Sequence, residues 1–273
     1  MENMLKDLEE TVAFIKSRTS VVPECGIVLG SGLGSIVSEM KLHTAIEYKH
    51  MPHFPVSTVK GHLGKFCLGE WHGKSIAVMQ GRFHYYEGYS LKQVTFPIRV
   101  MKKLGAKTIL ITNASGGLNP DIKIGELMVV TDHINLNSEN PLRGANDETL
   151  GPRFPDQHAM YNKLLIEQAL AIAKKHGITC HKGVYVGVTG PNFESPAEYR
   201  YMRIIGGDAV GMSTVPEVIV ANHMGLRIFC ISVICDEGNP VTPVSVTHEE
   251  VVKAAREAEP RMAIILKELV QSI

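Results

Sequence analysis

Short apolar runs that stop abruptly at turns rich in glycine or hydrogen-bond donors recur along this chain, and they constrain its fold more than any other feature. Gly26–Leu29 runs into Gly30-Ser31-Gly32-Leu33-Gly34, Lys107–Thr112 into Asn113-Ala114-Ser115-Gly116-Gly117-Leu118-Asn119, and Thr179–Thr189 into Gly190-Pro191-Asn192-Phe193-Glu194. Their length and composition suit buried strands. Between them lie amphipathic stretches with helical spacing: residues 1–18 with Leu5, Leu8, Val12 and Ile15 on one stripe, Leu91–Leu104 before Gly105, and Met160–His176. A last helix over Thr247–Ile273 starts with Thr247 as N-cap and Glu250 in the capping-box position. Gly64–Trp71 and Lys74–Gln80 flank His72-Gly73 and predict an antiparallel hairpin. Glu126–Ile134, Asp208–Ser213 and Arg227–Ile234 read as further strands, with Cys235–Val246 as the last loop. Strands alternating with helices predict an α/β fold, a single domain over residues 1–273 with a mixed, mostly parallel sheet flanked by helices.

Composition narrows the function classes. With 28 basic and 28 acidic residues the formal net charge is zero, which gives no field for nucleic acid or an anionic membrane. Five cysteines without a C-x-x-C pair fit a reducing compartment rather than a disulfide framework. The most apolar segment, Leu226–Cys235, is too short to span a bilayer and carries Arg227. The acidic start MENMLKDLEE is unlike a signal peptide, so the expected location is cytoplasmic. Val252 stands where a zinc-protease helix beginning at His248-Glu249 needs its second histidine, and no serine is framed as G-x-S-x-G.

Chemistry is expected at the strand ends, where open α/β sheets place ligands. In Asn192-Phe193-Glu194 a flat apolar ring beside a carboxylate suits a planar heterocycle with N–H donors; a packed Phe and a helix-capping Glu fit the same residues. Ser195 as N-cap and Pro196 as first helical residue start a helix directly after it. GSGLG falls one residue short of the dinucleotide fingerprint and lacks the Lys-Ser/Thr of a P-loop, leaving an anion-approaching turn or a plain strand-to-helix turn. Gly81-Arg82-Phe83-His84-Tyr85-Tyr86, if extended, puts Arg82, His84 and Tyr86 on one face, as an anion cup or as a solvated basic loop. The polar stretch Asn135–Gln157 is long enough to be functional or an interface.

GSGLG (30–34), GRFHYYEG (81–88), TNASGGLN (112–119), RFP (153–155), GPNFESPAEYR (190–200) and AVGMS (209–213) together closely resemble the trimeric class of the purine nucleoside phosphorylase family, over nearly the whole chain. The resemblance implies reversible phosphorolysis of purine ribonucleosides and deoxyribonucleosides, with 6-oxopurine ones such as inosine and guanosine preferred, without metal or organic cofactor. It assigns phosphate binding to Ser31, His62, Arg82, His84, the Ala114 N–H and Ser213. Tyr86 and Met212 are implied to hold the ribose, with His248 reaching its 5′-hydroxyl and Val210 elsewhere in the nucleoside site; surface histidines remain the other reading of His62 and His248. Phe193 is implied to pack on the purine, and Glu194 to accept from N1–H. The implied assembly is a homotrimer in which Phe154 closes the neighbouring subunit's site.

One position departs from the family. Asp236 stands where the family has an Asn that serves purine N7. An ionised Asp only accepts hydrogen bonds, so it either carries a proton, as a general acid, or favours a 6-aminopurine; rotation out to solvent is the third reading. Methylthioadenosine phosphorylase has an Asp at this position and is the nearest alternative. A non-catalytic nucleoside-binding protein is the remote one.

Overall fold

The computed structural model describes residues 2–58, 63–238 and 247–273. In chain order the elements are α1 (Glu2–Lys16), β1 (Cys25–Leu29), α2 (Ile36–Glu39), β2 (Lys41–Glu47), β3 (Lys65–Trp71), β4 (Lys74–Gln80), α3 (Leu91–Leu104) and β5 (Thr108–Gly117). There follow β6 (Leu127–Asn135), α4 (Lys163–Lys175), β7 (Cys180–Gly187), α5 (Pro196–Ile204), β8 (Ala209–Gly211), α6 (Val215–His223), β9 (Arg227–Glu237) and α7 (His248–Ser272).

The strands form one mixed nine-stranded sheet in the order β2-β3-β4-β1-β5-β8-β7-β6-β9, and β9 also pairs with β5. That second pairing curls half of the sheet into a ring of β5, β8, β7, β6 and β9, while the hairpin arm β2-β3-β4 runs out from β1. β1, β4, β5 and β9 run parallel to their neighbours in that series, and β3 is antiparallel to both β2 and β4. Every residue of β1 is buried, as a central strand must be when helices cover both faces. α3 packs on β1, α1 and α6, while α7 packs on β5, β9 and α4.

Local chemistry explains the element ends. The β3–β4 turn is His72-Gly73, with φ of 48° and 81°, the left-handed pair that a two-residue hairpin needs. α3 opens with a Ser90–Gln93 capping box and ends at Gly105, and α5 opens with a Ser195–Glu198 capping box and Pro196 in its first turn. Thr247 and Glu250 form the predicted capping box of α7.

Several boundaries differ from the sequence reading. Asn113 to Gly117 continues strand β5 instead of forming a turn, because β8 and β9 both pair with it there. β9 likewise runs on to Glu237, so Asp236 is a strand residue and not part of a loop. α4 starts later than Met160, since Asn162 caps it and Tyr161 bridges to Ile228. Residues 85–87 form a single 3₁₀ turn, so the segment from Arg82 to Tyr86 is not extended throughout. β2 and α6 have no counterpart in the sequence reading.

Candidate functional site

A cavity of about 460 Å³ opens where the ends of β1, β4, β5, β8 and β9 converge with the loop before α5 and the start of α7. Of the residues singled out in the sequence, Ser31, Arg82, His84, Tyr86, Ala114, Phe193, Glu194, Val210, Met212, Ser213, Asp236 and His248 all line it. Phe154 does not: its side chain is 86% exposed, with the Arg153 guanidinium 5.4 Å from its ring centroid. His62 lies outside the described residues.

One end of the cavity is a set of donors around Arg82. The guanidinium is 1% exposed and donates from Nη1 to Ser213 Oγ at 2.8 Å and to Thr214 Oγ1 at 3.2 Å, and from Nη2 to the Thr112 carbonyl. The same Nη1 lies 3.2 Å from Glu217 Oε2, a carboxylate that is itself buried. Glu217 also accepts from the Thr214 backbone N–H at 3.0 Å, and Asn113 Nδ2 donates to Thr214 Oγ1 at 3.0 Å. Arg82 is therefore a framed and charge-compensated donor, not an isolated cation. Burial of such a pair costs desolvation, which the surrounding hydrogen bonds offset.

His84 stacks on Tyr86 with ring centroids 4.7 Å apart and planes at 14°. Its Nδ1 lies 3.1 Å from Glu87 Oε1, and its backbone N–H donates to the same oxygen at 2.8 Å. Burial holds the imidazole below its usual pKa, with Glu87 pulling the other way. Burial pushes Glu87 up, but hydrogen bonds from His84 and from the Thr58 N–H and hydroxyl, each at 2.7 Å, prevail and bring it down to about 2. The neutral imidazole is thus oriented by a fixed anion behind it.

The other end carries Phe193, Glu194 and Asp236. Asp236 is a buried carboxylate on β9 whose Oδ1 has no hydrogen-bond partner among the described residues. Burial, and then the Glu194 charge, raise it to about 6. Gly116 makes room for it on the paired strand: a Cβ there would lie 3.0 Å from Asp236 Oδ1. Glu194 is also raised, by burial first and by the Glu198 charge. Two carboxyl groups in one desolvated space share protons more readily than either would alone.

Glu217, Glu87 and Thr214 were not foreseen. Thr214-Val215-Pro216-Glu217 carries a legible capping-box pattern, and the box forms, but its reach to Arg82 is a tertiary contact that no local pattern encodes. Among the described residues there is no group of three His, Cys, Asp or Glu side chains arranged to hold a metal ion, and no helix is long and apolar enough to cross a membrane.

A donor-framed pocket at converging strand ends, facing an aromatic ring and two carboxyl groups, marks a class as well as a site. Residues 24–271 match the phosphorylase superfamily, and the chain belongs to it. Among its relatives is "Purine nucleoside phosphorylase 1" of Bacillus subtilis (strain 168), 47% identical over 97% of this chain and 98% of that one. "Purine nucleoside phosphorylase" of Bos taurus is 42% identical over 98% of this chain and 95% of its own length. Isoform 2 of purine nucleoside phosphorylase from Schistosoma mansoni, solved in complex with cytosine and ribose-1-phosphate, superposes with a TM-score of 0.93 at 39% identity, covering 98% of this chain and 96% of that one.

Proposed function

We propose that this protein catalyses the reversible phosphorolysis of purine ribonucleosides and deoxyribonucleosides, favouring 6-oxopurines, to free base and (deoxy)ribose 1-phosphate. The observation that carries the reading is a single cavity of about 460 Å³ with a donor array at one end and Phe193, Glu194 and Asp236 at the other. Ser31, Arg82, His84, the Ala114 N–H and Ser213 hold phosphate, with His62 added by resemblance. Because Glu217 offsets the Arg82 charge, the array orients phosphate without quenching its nucleophilicity. Tyr86, Met212 and His248 hold the ribose, Val210 lines the nucleoside site, Phe193 packs on the purine, and Glu194 accepts from N1–H.

Cleavage of the glycosidic bond builds positive charge on the ribose and negative charge on the leaving base. Phosphate meets the first and bonds to the anomeric carbon as the C–N bond breaks; the electron pair leaves with the purine. Asp236 in its acid form donates to N7 as that charge develops. A bound nucleoside deepens the burial that already raises this carboxyl, and so favours the protonated form. No metal or organic cofactor takes part, phosphate is a co-substrate, and nucleic acid and membrane are not partners. The working assembly is a homotrimer in which Phe154 closes the neighbouring site.

Asp236 also favours a second reading, phosphorolysis of adenosine or methylthioadenosine, because an ionised carboxylate accepts from a 6-amino group. One experiment separates the two. Inosine, guanosine, adenosine and methylthioadenosine are incubated with and without phosphate, and base release is followed. Phosphate-dependent turnover of inosine and guanosine well above adenosine supports the first reading, dominant adenosine or methylthioadenosine turnover replaces it with the second, and binding without turnover removes both.

A further inference from the structure

A second cavity, of about 50 Å³, lies between α1, α3, the segment 141–150 and the last residue of α6, and among the described residues it shares no wall with the one at the strand ends. Its wall is cationic. Arg99 of α3 is 6% exposed, yet its Nη1 has no hydrogen-bond partner and its guanidinium forms no ion pair among the described residues. Burial alone brings its pKa down to about 10, with no acid acting against it. Lys92 stands two turns earlier on the same face of α3 and lines the cavity too. Its ammonium lies against the facing loop, because a Cβ at Gly144 would fall 3.2 Å from Lys92 Nζ. Arg143, just before that glycine, is the third cation of the wall. His223 is held below its ordinary pKa, first by burial and then by the Arg99 charge, and stays neutral near pH 7. The nearby acids are turned to other partners. Asp147, on the wall, accepts from the Thr149 N–H at 2.8 Å and hydroxyl at 2.6 Å, and Glu148 accepts from Asn146 Nδ2 at 2.7 Å.

We propose that this cavity is a second anion site, which takes one small tetrahedral oxyanion of the inorganic phosphate class, forked by Arg99 and flanked by Lys92 and Arg143. A buried guanidinium without a counter-charge is costly, and an anion of opposite sign removes that cost where the chain itself does not. The planar fork of Arg99 suits two oxygens of such an ion, and the two flanking cations suit the others. At about 50 Å³ the space has room for one ion of this size and not for a nucleotide. The site is independent of the phosphorolysis reading, since no bond is made or broken there. Its anion ties the segment 141–150 to α3 and α6, and that segment runs on to Phe154.

The test counts bound phosphate. Equilibrium dialysis with radiolabelled inorganic phosphate, in a buffer free of other multivalent anions, is run on the unsubstituted protein, Arg99→Met and Lys92→Ala. The expected result is two phosphates per chain in the unsubstituted protein, one in Arg99→Met, and a second phosphate held about tenfold more weakly in Lys92→Ala. Without phosphate, Arg99→Met should melt at least as high as the unsubstituted protein, because an apolar side chain replaces an uncompensated charge, and added phosphate should raise its Tm by less. The phosphate KM for inosine cleavage should stay within about twofold in both variants, since neither residue lines the cavity at the strand ends. Two phosphates retained in Arg99→Met, or one in all three proteins, overturns the proposal and leaves the cavity to water. Lys92 is half-buried at the rim, so its variant decides the matter even where Arg99→Met does not fold: an unchanged second affinity there also overturns the proposal. A single phosphate in the unsubstituted protein that disappears in Arg99→Met keeps this site and removes instead the phosphate assignment at Arg82.

Discussion

Asp236 and Arg82 show how one side chain reports on both folding and chemistry. Asp236 holds its proton up to about 6 in the folded protein, against 3.8 as the ordinary value. Between those values the native state binds more protons than the unfolded chain, so stability falls as pH rises through them, and the cost is complete above about pH 6. Asp236→Asn should therefore raise the stability at pH 7–8 by no more than about 3 kcal/mol, seen as a higher melting temperature, and the gain should vanish toward pH 4. Thermal melts of the two proteins across that range check it, and a gain that persists at pH 4 would assign it to packing instead. The same variant should keep inosine phosphorolysis within about tenfold while flattening its alkaline limb, measured as kcat/KM. For Arg82→Ala two losses are expected together: a strong rise in the phosphate KM, and a stability loss of about 3–5 kcal/mol, because Glu217 is left buried without its cation. Urea denaturation beside phosphate-dependent kinetics separates them. The donors were legible from the sequence because each sits at the end of an apolar run, whereas the reach of Glu217 to Arg82 is a tertiary contact that no local pattern encodes.

Turn chemistry and strand pairing decide which elements were legible. Starts of helices were clear at Ser195 and Thr247, where a cap residue precedes an acid by three positions, although the same spacing of Thr214 and Glu217 did not reveal α6. β2 was missed because it is mostly solvent-exposed and carries little apolar signal. α6 was missed for the opposite reason: nearly all of it is buried, so its sequence has no polar face to mark a period. The glycines and serine of β5 read as a turn, but pairing with both β8 and β9 overrides local propensity. The cap of α5 links element to site. Ser195 Oγ accepts from the Glu198 N–H at 3.3 Å while the Ser195 N–H donates to Glu198 Oε2 at 2.7 Å, directly beside Glu194. Ser195→Ala should cost about 1 kcal/mol of stability and raise the inosine KM more than the phosphate KM. Equal effects on both substrates would mean that the cap does not hold the base end in place.

Across the whole molecule, the α/β class and the hairpin followed from the alternation of patterns, while closure of the ring by β5 and β9 did not. A strand with three partners, β1 and β8 in succession along one edge and β9 along the other, is a tertiary outcome that periodicity cannot announce. Assembly belongs to this scale too. Phe154 is 86% exposed on a single chain, far more than an aromatic side chain gains by facing water. If it completes a neighbour's site, activity should track a threefold oligomer in sedimentation, and Phe154→Ala should raise the inosine KM several-fold with the oligomer intact. A fully active monomer at assay concentration would refute that arrangement.

The pairing of β5 with β9 has a further consequence, which is one of length. Ala114, at the proposed phosphate end, and Gly116, beside Asp236 at the base end, are two residues apart on one strand. A strand advances about 3.3 Å per residue, so the two ends are held roughly 7 Å apart by backbone geometry that side chains do not adjust. On the phosphorolysis reading proposed above, the strand is a ruler laid along the substrate, and its graduation is close to the span of one pentose. Discrimination against compounds with a shorter or longer spacer between base and phosphate is then built into the sheet, and changing it would require an inserted residue in β5 or β9 rather than a substitution in the pocket.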